Sequence, residues 1–93
     1  MHVGVLTLEL FIPHANSLKE KRRVVRRVKD RLKSRLNVAV AEVGNLDLWQ
    51  RATLAVVAVN KDRPPAEALL QAALRQTEAD HEAQVGEVEI EFF

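Results

Sequence analysis

Residues 2–36, HVGVLTLELFIPHANSLKEKRRVVRRVKDRLKSRL, decide the fold, because their hydrophobic pattern changes from that of a strand to that of a helix. Residues 2–12 are mostly apolar and β-prone, which predicts a strand. Pro13 ends this strand, since proline has no N–H to donate to a sheet. The residues predicted to share one face of the strand are Leu6, Leu8, Leu10 and Ile12.

The segment after Pro13 predicts a long helix over residues 18–36. Asn16 or Ser17 can cap this helix, and Ser17 with Glu20 has the spacing of a capping box. Apolar residues then recur at helical spacing along one stripe, which is typical of a helix packed on a core. These residues are Leu18, Val25, Val28, Leu32 and Leu36.

The rest of the chain predicts two strands, a helix and a last strand. Residues 38–43 and 50–60 are the two strands, on either side of a turn at residues 44–47. The strand over 50–60 is apolar on both faces, so we expect it to be central and covered on both sides. Residues 65–80 predict a helix that begins at a proline pair, and residues 84–92 predict the last strand.

The last strand alternates with a period of two. This period places Val88, Ile90 and Phe92 on the face that looks toward the core. The residues predicted for the opposite face are Val85, Glu87, Glu89 and Glu91.

The element order is therefore βαββαβ within residues 1–93. Right-handed crossovers turn this order into a single ferredoxin-like α+β domain, with a four-stranded antiparallel sheet and two helices on one face. The helices are expected to cover the face that carries Leu6, Leu8, Leu10, Val88 and Ile90.

Composition narrows the class of protein. Hydrophobic residues make up 47% of the chain, which is enough for one core. The chain has no cysteine, which excludes disulfides and thiolate chemistry and fits a reducing compartment. The first residues are too short and too alternating for a signal peptide, and no stretch is long enough to span a bilayer. We therefore expect a cytoplasmic protein that does not contact membranes.

The net charge of +1 hides a strong asymmetry. Between Lys19 and Arg35 there are ten basic and only two acidic residues. Such a helix can contact successive phosphates of a polyanion. The residues predicted to contact nucleic acid are Lys19, Arg22, Arg23, Arg26, Arg27 and Lys33. The alternative is that the acidic last strand, with Glu87, Glu89 and Glu91, or a partner subunit neutralises them.

Lys21 falls inside the apolar stripe of the first helix. A lysine at such a position usually extends to the edge of the core and keeps its ammonium group in water, and this is the interpretation we favour. The alternative is a salt bridge from the helix to the sheet, with Glu42 as the partner.

The turn before the third strand contains the only tryptophan of the chain, Trp49, followed by Gln50 and Arg51. A tryptophan in such a turn is usually an anchor in the core, and we favour that role. The alternative is a platform on which a nucleic-acid base stacks.

The sheet face away from the helices is a second candidate surface. RNA-recognition motifs share this element order, but their aromatic run on the third strand is absent here. The face instead is expected to carry Val3, Val5 and Val85 with part of residues 50–60. An exposed apolar face of this kind indicates association, so a symmetric homodimer is expected to form through it.

No catalytic or metal-binding pattern is present in the sequence. The three glycines are far apart and form no phosphate loop. His2, His14 and His81 lack the spacing of metal ligands. Asp80, His81 and Glu82, taken as helical, are not expected to converge on one point. We expect no enzymatic activity, no catalytic residues, no metal and no cofactor. A small-molecule regulatory domain ranks third, because the sequence shows no convergent polar cluster.

Three motifs resemble one family. They are NSLKEKRRVV at 16–25, NVAVAEV at 37–43 and DLWQRA at 47–52, and together they are similar to the YlxP-like bacterial domains of unknown function. The family often has serine where this chain has Ala39. The motif positions of unknown role are Lys21, Glu42, Asp47, Trp49, Gln50 and Arg51.

This resemblance implies a ferredoxin-like fold and bacterial origin. It also implies a link to translation or ribosome maturation, because family genes often lie near those for a translation initiation factor and ribosome-binding factor A. We therefore expect a non-enzymatic module that contacts RNA or the ribosome through its basic first helix. The alternative is a dimeric protein-interaction module with no role in nucleic-acid binding.

Overall fold

The computed structural model describes all 93 residues and has the predicted element order. The elements are β1 (His2–Phe11), α1 (Leu18–Arg35), β2 (Ala39–Gly44), β3 (Arg51–Asn60), α2 (Arg63–Glu78) and β4 (Gln84–Phe92). The four strands form one sheet in the order β2-β3-β1-β4, and every neighbouring pair is antiparallel. The predicted ferredoxin-like α+β fold is confirmed. Neither helix is long and apolar enough to cross a bilayer.

The core lies between one face of the sheet and the two helices. On β1 this face carries the four predicted residues, Leu6, Leu8, Leu10 and Ile12, all of which are buried. On β3 it carries Ala52, Leu54, Val56 and Ala58. The helices add Val24, Val25, Val28, Leu32, Ala66, Leu70 and Ala73. The predicted helix-covered face is therefore correct for β1 and for Ile90, which packs against the core, and wrong for Val88, which is 41% exposed.

The start of α1 has the predicted cap with one difference. Ser17 Oγ accepts a hydrogen bond from the Glu20 N–H at 3.1 Å. The Glu20 carboxylate accepts from the Asn16 N–H at 2.6 Å and not from the N–H of Ser17 itself. The two side chains together satisfy donors at the helix start, which fixes where α1 begins.

Two predictions about the sheet are wrong. β3 is central, but only one face of it is covered, because both helices lie on the same side of the sheet. Val59 on the other face is 52% exposed. Val85 lies on the core face opposite Leu10, because the register shifts between Leu8 and Leu10 and moves β4 out of its period of two.

Candidate nucleic-acid interface

The basic residues of α1 divide into two rows along the helix. The inner row has one residue per turn and consists of Arg23, Arg27 and Arg31. The outer row lies beside it and consists of Lys19, Arg22, Arg26, Lys29 and Lys33. The two remaining basic residues are Lys21, which is buried, and Arg35, at the end of the helix.

The inner row is neutralised by the loop between α2 and β4. Arg27 Nη2 donates to both carboxylate oxygens of Asp80 at 2.8 Å, and its Nη1 donates to Glu82. Arg23 Nη2 donates to Glu82 at 2.9 Å. Arg31 Nη1 lies 3.7 Å from Asp80. Arg23 and Arg27, both predicted to contact nucleic acid, are therefore held in ion pairs that join α1 to this loop.

The carboxylates that pair with the inner row are not the predicted ones. Glu87, Glu89 and Glu91 make no ion pair with the helix; Asp80 and Glu82 do. The prediction that Asp80 and Glu82 do not converge is also wrong. It assumed that they are helical, whereas α2 ends at Glu78 and the loop turns both side chains toward Arg27.

The ion pairs lower the pKa of both carboxylates. Hydrogen bonds from Arg23 and then Arg27 lower the pKa of Glu82 to about 2. Burial raises the pKa of Asp80. Hydrogen bonds from the Glu82 N–H and from Arg27 outweigh burial, so this pKa lies below its ordinary value of 3.8. The pKa of Arg27 is raised, with the hydrogen bond to Glu82 as its main cause. Both carboxylates are thus ionised at neutral pH.

Acid is expected to weaken the contact between α1 and this loop. A carboxylate with a depressed pKa stabilises the folded state above its ordinary pKa, and the contribution is lost as the pH falls through the folded pKa. For Glu82 this window runs from 4.5 down to about 2. We expect Asp80→Asn to cost about 2 kcal/mol at neutral pH. We also expect it to reduce the loss of stability as the pH falls below 3.8, the ordinary pKa of the Asp80 carboxyl, measured by urea unfolding.

The control for this experiment is Glu78→Gln, since Glu78 is exposed and forms no ion pair. This variant should follow the wild-type pH profile. An Asp80→Asn variant with the full wild-type loss of stability in acid would contradict the assignment.

The outer row, in contrast, has almost no carboxylates within ion-pair distance. Its one contact within ion-pair distance is Lys33 Nζ to Asp30 at 4.0 Å, between two exposed side chains. Lys19, Arg22 and Arg26 are exposed and line a shallow depression at the start of the helix. Glu20 also lines this depression, and its carboxylate accepts from the Asn16 N–H. From Lys19 to Lys33 the row extends about 21 Å along the helix axis.

Four of the six predicted contact residues thus lie together on one solvent-facing row: Lys19, Arg22, Arg26 and Lys33. Lys29, which was not among the predicted contacts, completes the row. Lys29 could have been predicted as part of this row from its spacing to Arg22 and Arg26, because residues at i, i+4 and i+7 share one side of a helix.

Lys21, on the side of α1 that faces the sheet, is fully buried. Its Nζ lies 2.6 Å from Glu42 Oε2 and donates hydrogen bonds to the carbonyl oxygens of Asn45 at 2.9 Å and Leu46 at 3.3 Å. The prediction that its ammonium group reaches water is wrong, and the alternative salt bridge to Glu42 is confirmed. One buried charge therefore ties α1 to β2 and to the turn that follows it.

Gln50 holds the other end of this turn. Its side-chain Nε2 donates to the backbone carbonyls of Pro13 and Ala15, both at 3.1 Å. Its backbone carbonyl accepts from the Ile12 N–H at 2.9 Å. Trp49, by contrast, is 53% exposed. The predicted role of Trp49 as a core anchor is wrong, because its side chain lies at the surface; Gln50 and Lys21 anchor the turn instead.

The remaining motif residues lie at the surface near this turn. Arg51 stacks over the Phe11 ring, with 5.2 Å between the guanidinium carbon and the ring centroid, and lies 3.8 Å from Glu9. Asp47 is exposed and forms no ion pair. No group of three His, Asp or Glu side chains is placed to hold a metal ion.

Asn45 attaches the start of this turn to the sheet. Its backbone is in the left-handed region, at a φ of 59°, which asparagine tolerates. Its Nδ2 donates to Thr53 at 3.0 Å and to Glu9 at 3.2 Å, and Thr53 donates to Glu9 at 2.7 Å. The turn is thus attached to the open side of the sheet as well as to α1.

Comparisons with known proteins support the fold and identify the family. A designed protein, Foldit4, superposes with a TM-score of 0.56 over 100% of this chain and 97% of its own, at 18% identity, and shows the fold alone. The uncharacterized protein YlxP of Bacillus subtilis (strain 168) is 39% identical over 72 residues, which are 77% of this chain and 78% of that protein. The family model described as protein of unknown function DUF503 matches residues 3–90. The chain therefore belongs to the DUF503 family, as one of its YlxP-like domains.

Proposed function

We propose that this domain is a non-enzymatic, cytoplasmic RNA-binding module that contacts RNA or the ribosome through the outer row of α1. One observation carries the proposal. Five cations lie along one side of a helix, four of them exposed and Lys29 half-buried, and the one carboxylate within ion-pair distance of them is that of Asp30, 4.0 Å from Lys33.

The pairing pattern supports this proposal. The fold places three carboxylates from other elements beside α1: Asp80 and Glu82 pair with the inner row, Glu42 pairs with the buried Lys21, and none pairs with the outer row. The three glutamates Glu87, Glu89 and Glu91 lie on β4, at the edge of the sheet, and pair with no basic residue of the helix. Like charges at i, i+4 spacing destabilise an isolated helix. A phosphate backbone offsets this repulsion, and the released counterions favour binding.

RNA is favoured over other polyanions by the link to translation that the family resemblance implies. A row of flexible lysines and arginines neutralises phosphates without choosing a sequence. The expected activity is thus binding with little sequence preference, in which other parts of the domain select the kind of RNA.

The test is the salt dependence of binding to a labelled ribosomal RNA fragment, measured by fluorescence anisotropy. If all five cations contact phosphates of a single strand, the slope of log K against log salt is about −3.5. Binding with a slope near zero would contradict the proposal, because contacts other than phosphate neutralisation would then supply the affinity.

A homodimer is the second candidate function, and the open face of the sheet favours it. Val5, Ala55 and Val57 lie together on this face, with no helix over them. Val59 on the same face is 52% exposed. Sedimentation velocity should show a dimer that Val57→Lys dissociates. A strict monomer at high protein concentration would rule this candidate out.

A further inference from the structure

A shallow concavity surrounds Trp49, outside the row of cations on α1. It is lined by Phe11, Pro13, Leu48, Trp49, Gln50 and Arg51. Trp49 is 53% exposed and Leu48 is 45% exposed, although neither is charged. Burying a tryptophan is among the largest favourable contributions a side chain can make, so leaving this one exposed forgoes stability.

Trp49 is exposed on a turn that is fixed at both ends. The Lys21 ammonium group binds the carbonyls of Asn45 and Leu46, before the tryptophan. Gln50, directly after it, binds Pro13 and Ala15. The indole is therefore presented by a braced backbone, which is how a preorganised binding platform is built.

The concavity lies at the same end of the molecule as the start of the outer row. Gln50 Nε2 contacts the carbonyl of Ala15, two residues before the helix cap Ser17. The outer row begins at Lys19, two residues after that cap. Arg51 adds a guanidinium group at the rim, stacked over Phe11. An anionic strand that leaves the helix at this end meets an aromatic surface next to a cation.

We propose that this concavity stacks an unpaired base of an RNA strand whose phosphates lie on the outer row. The inference rests on the proposed function and adds the class of ligand, single-stranded RNA. Every base has a π face that can stack on an indole, so this contact tolerates any sequence. A base paired in a duplex cannot use it. Lys19 has no carboxylate within ion-pair distance, and Arg51 has only the 3.8 Å contact with Glu9. These cations favour a nucleotide over an apolar peptide, which carries no anionic group for them.

The single tryptophan gives a direct readout, because all indole fluorescence comes from this site. The probes are a short oligouridylate and an RNA duplex with the same number of phosphates. We expect oligouridylate to quench the fluorescence and the duplex to bind without quenching. Trp49→Ala should weaken oligouridylate binding about tenfold and leave duplex binding nearly unchanged, whereas Trp49→Phe should keep most of the affinity.

Leu46→Ala is the matched control, because Leu46 is 54% exposed in the same turn and does not line the concavity. Its backbone carbonyl still accepts the bond from Lys21. This variant should bind oligouridylate as the wild type does, which also shows that changes in the turn do not by themselves impair binding.

The outcomes separate the two proposals. Salt-dependent binding of both RNAs without quenching, and without an effect of Trp49→Ala, would overturn the stacking site and leave the role of α1 intact. No salt-dependent binding of either RNA would overturn both. A concentration-dependent blue shift of the free protein would assign Trp49 to a contact between copies and contradict the stacking site.

Discussion

Replacing Lys21 with methionine is expected to lower the free energy of unfolding by about 3–5 kcal/mol, the usual cost of removing one partner of a buried ion pair. Methionine fills most of the space that the lysine side chain occupies, so the loss of stability comes from the missing charge and hydrogen bonds. Glu42 is left buried without a counter-charge, since its side chain is only 12% exposed. The carbonyls of Asn45 and Leu46 also lose their donor. Urea unfolding at neutral pH measures the change.

A double-mutant cycle separates the ion pair from packing. Lys21→Met with Glu42→Leu removes both charges, and this pair should recover much of the stability lost by Lys21→Met alone. Lys61→Met is the control, because Lys61 is exposed and unpaired; its effect should stay within about 0.5 kcal/mol. A Lys21→Met variant as stable as this control would contradict the role assigned to the buried ammonium group.

Reversing two charges of the outer row is expected to weaken RNA binding on the order of 100-fold at low salt, because phosphate contacts are replaced by repulsion. The variant is Arg22→Glu with Arg26→Glu. Neither side chain has an ion-pair partner in the chain, so the thermal midpoint should change little. Anisotropy with the ribosomal RNA fragment measures the affinity.

The matched control is Lys61→Glu with Arg75→Glu. Both residues are exposed and unpaired, and these two substitutions change the net charge by the same amount as the two in the outer row. We expect this control to weaken binding only slightly, through the overall charge. Equal losses in the two variants would show that net charge, and not the outer row, sets the affinity.

Local patterns of the sequence predict most of the fold. The alternation in residues 2–12 and the stripe from Val25 to Leu32 predict which faces are buried, because secondary structure fixes these periods. The bulge in β4 does not follow from the pattern, and Val85 is therefore on the face opposite to the predicted one. Lys21 lies in the buried stripe as the helical wheel predicts, but its burial depends on Glu42 and two carbonyls that only the tertiary structure brings near.

The candidate site could be predicted only in part. The sequence identifies the basic helix, but the division into two rows depends on where the loop after α2 lies. Ion pairs with Asp80 and Glu82 give Arg27 a structural role, and both partners lie more than 50 residues away from it in the chain. The exposure of Trp49 likewise depends on Gln50 and Lys21 holding the turn in its place. These contacts are long-range, and no local period encodes them.

The most direct test of the outer row is the salt slope of a neutral variant, Arg22→Gln with Arg26→Gln, beside that of the wild type. Each lost contact with a single-stranded phosphate reduces the magnitude of the slope by about 0.7, so we expect a reduction of about 1.4. A variant that binds the same RNA with an unchanged slope would show that these two arginines touch no phosphate, and that the outer row is not the RNA-binding surface.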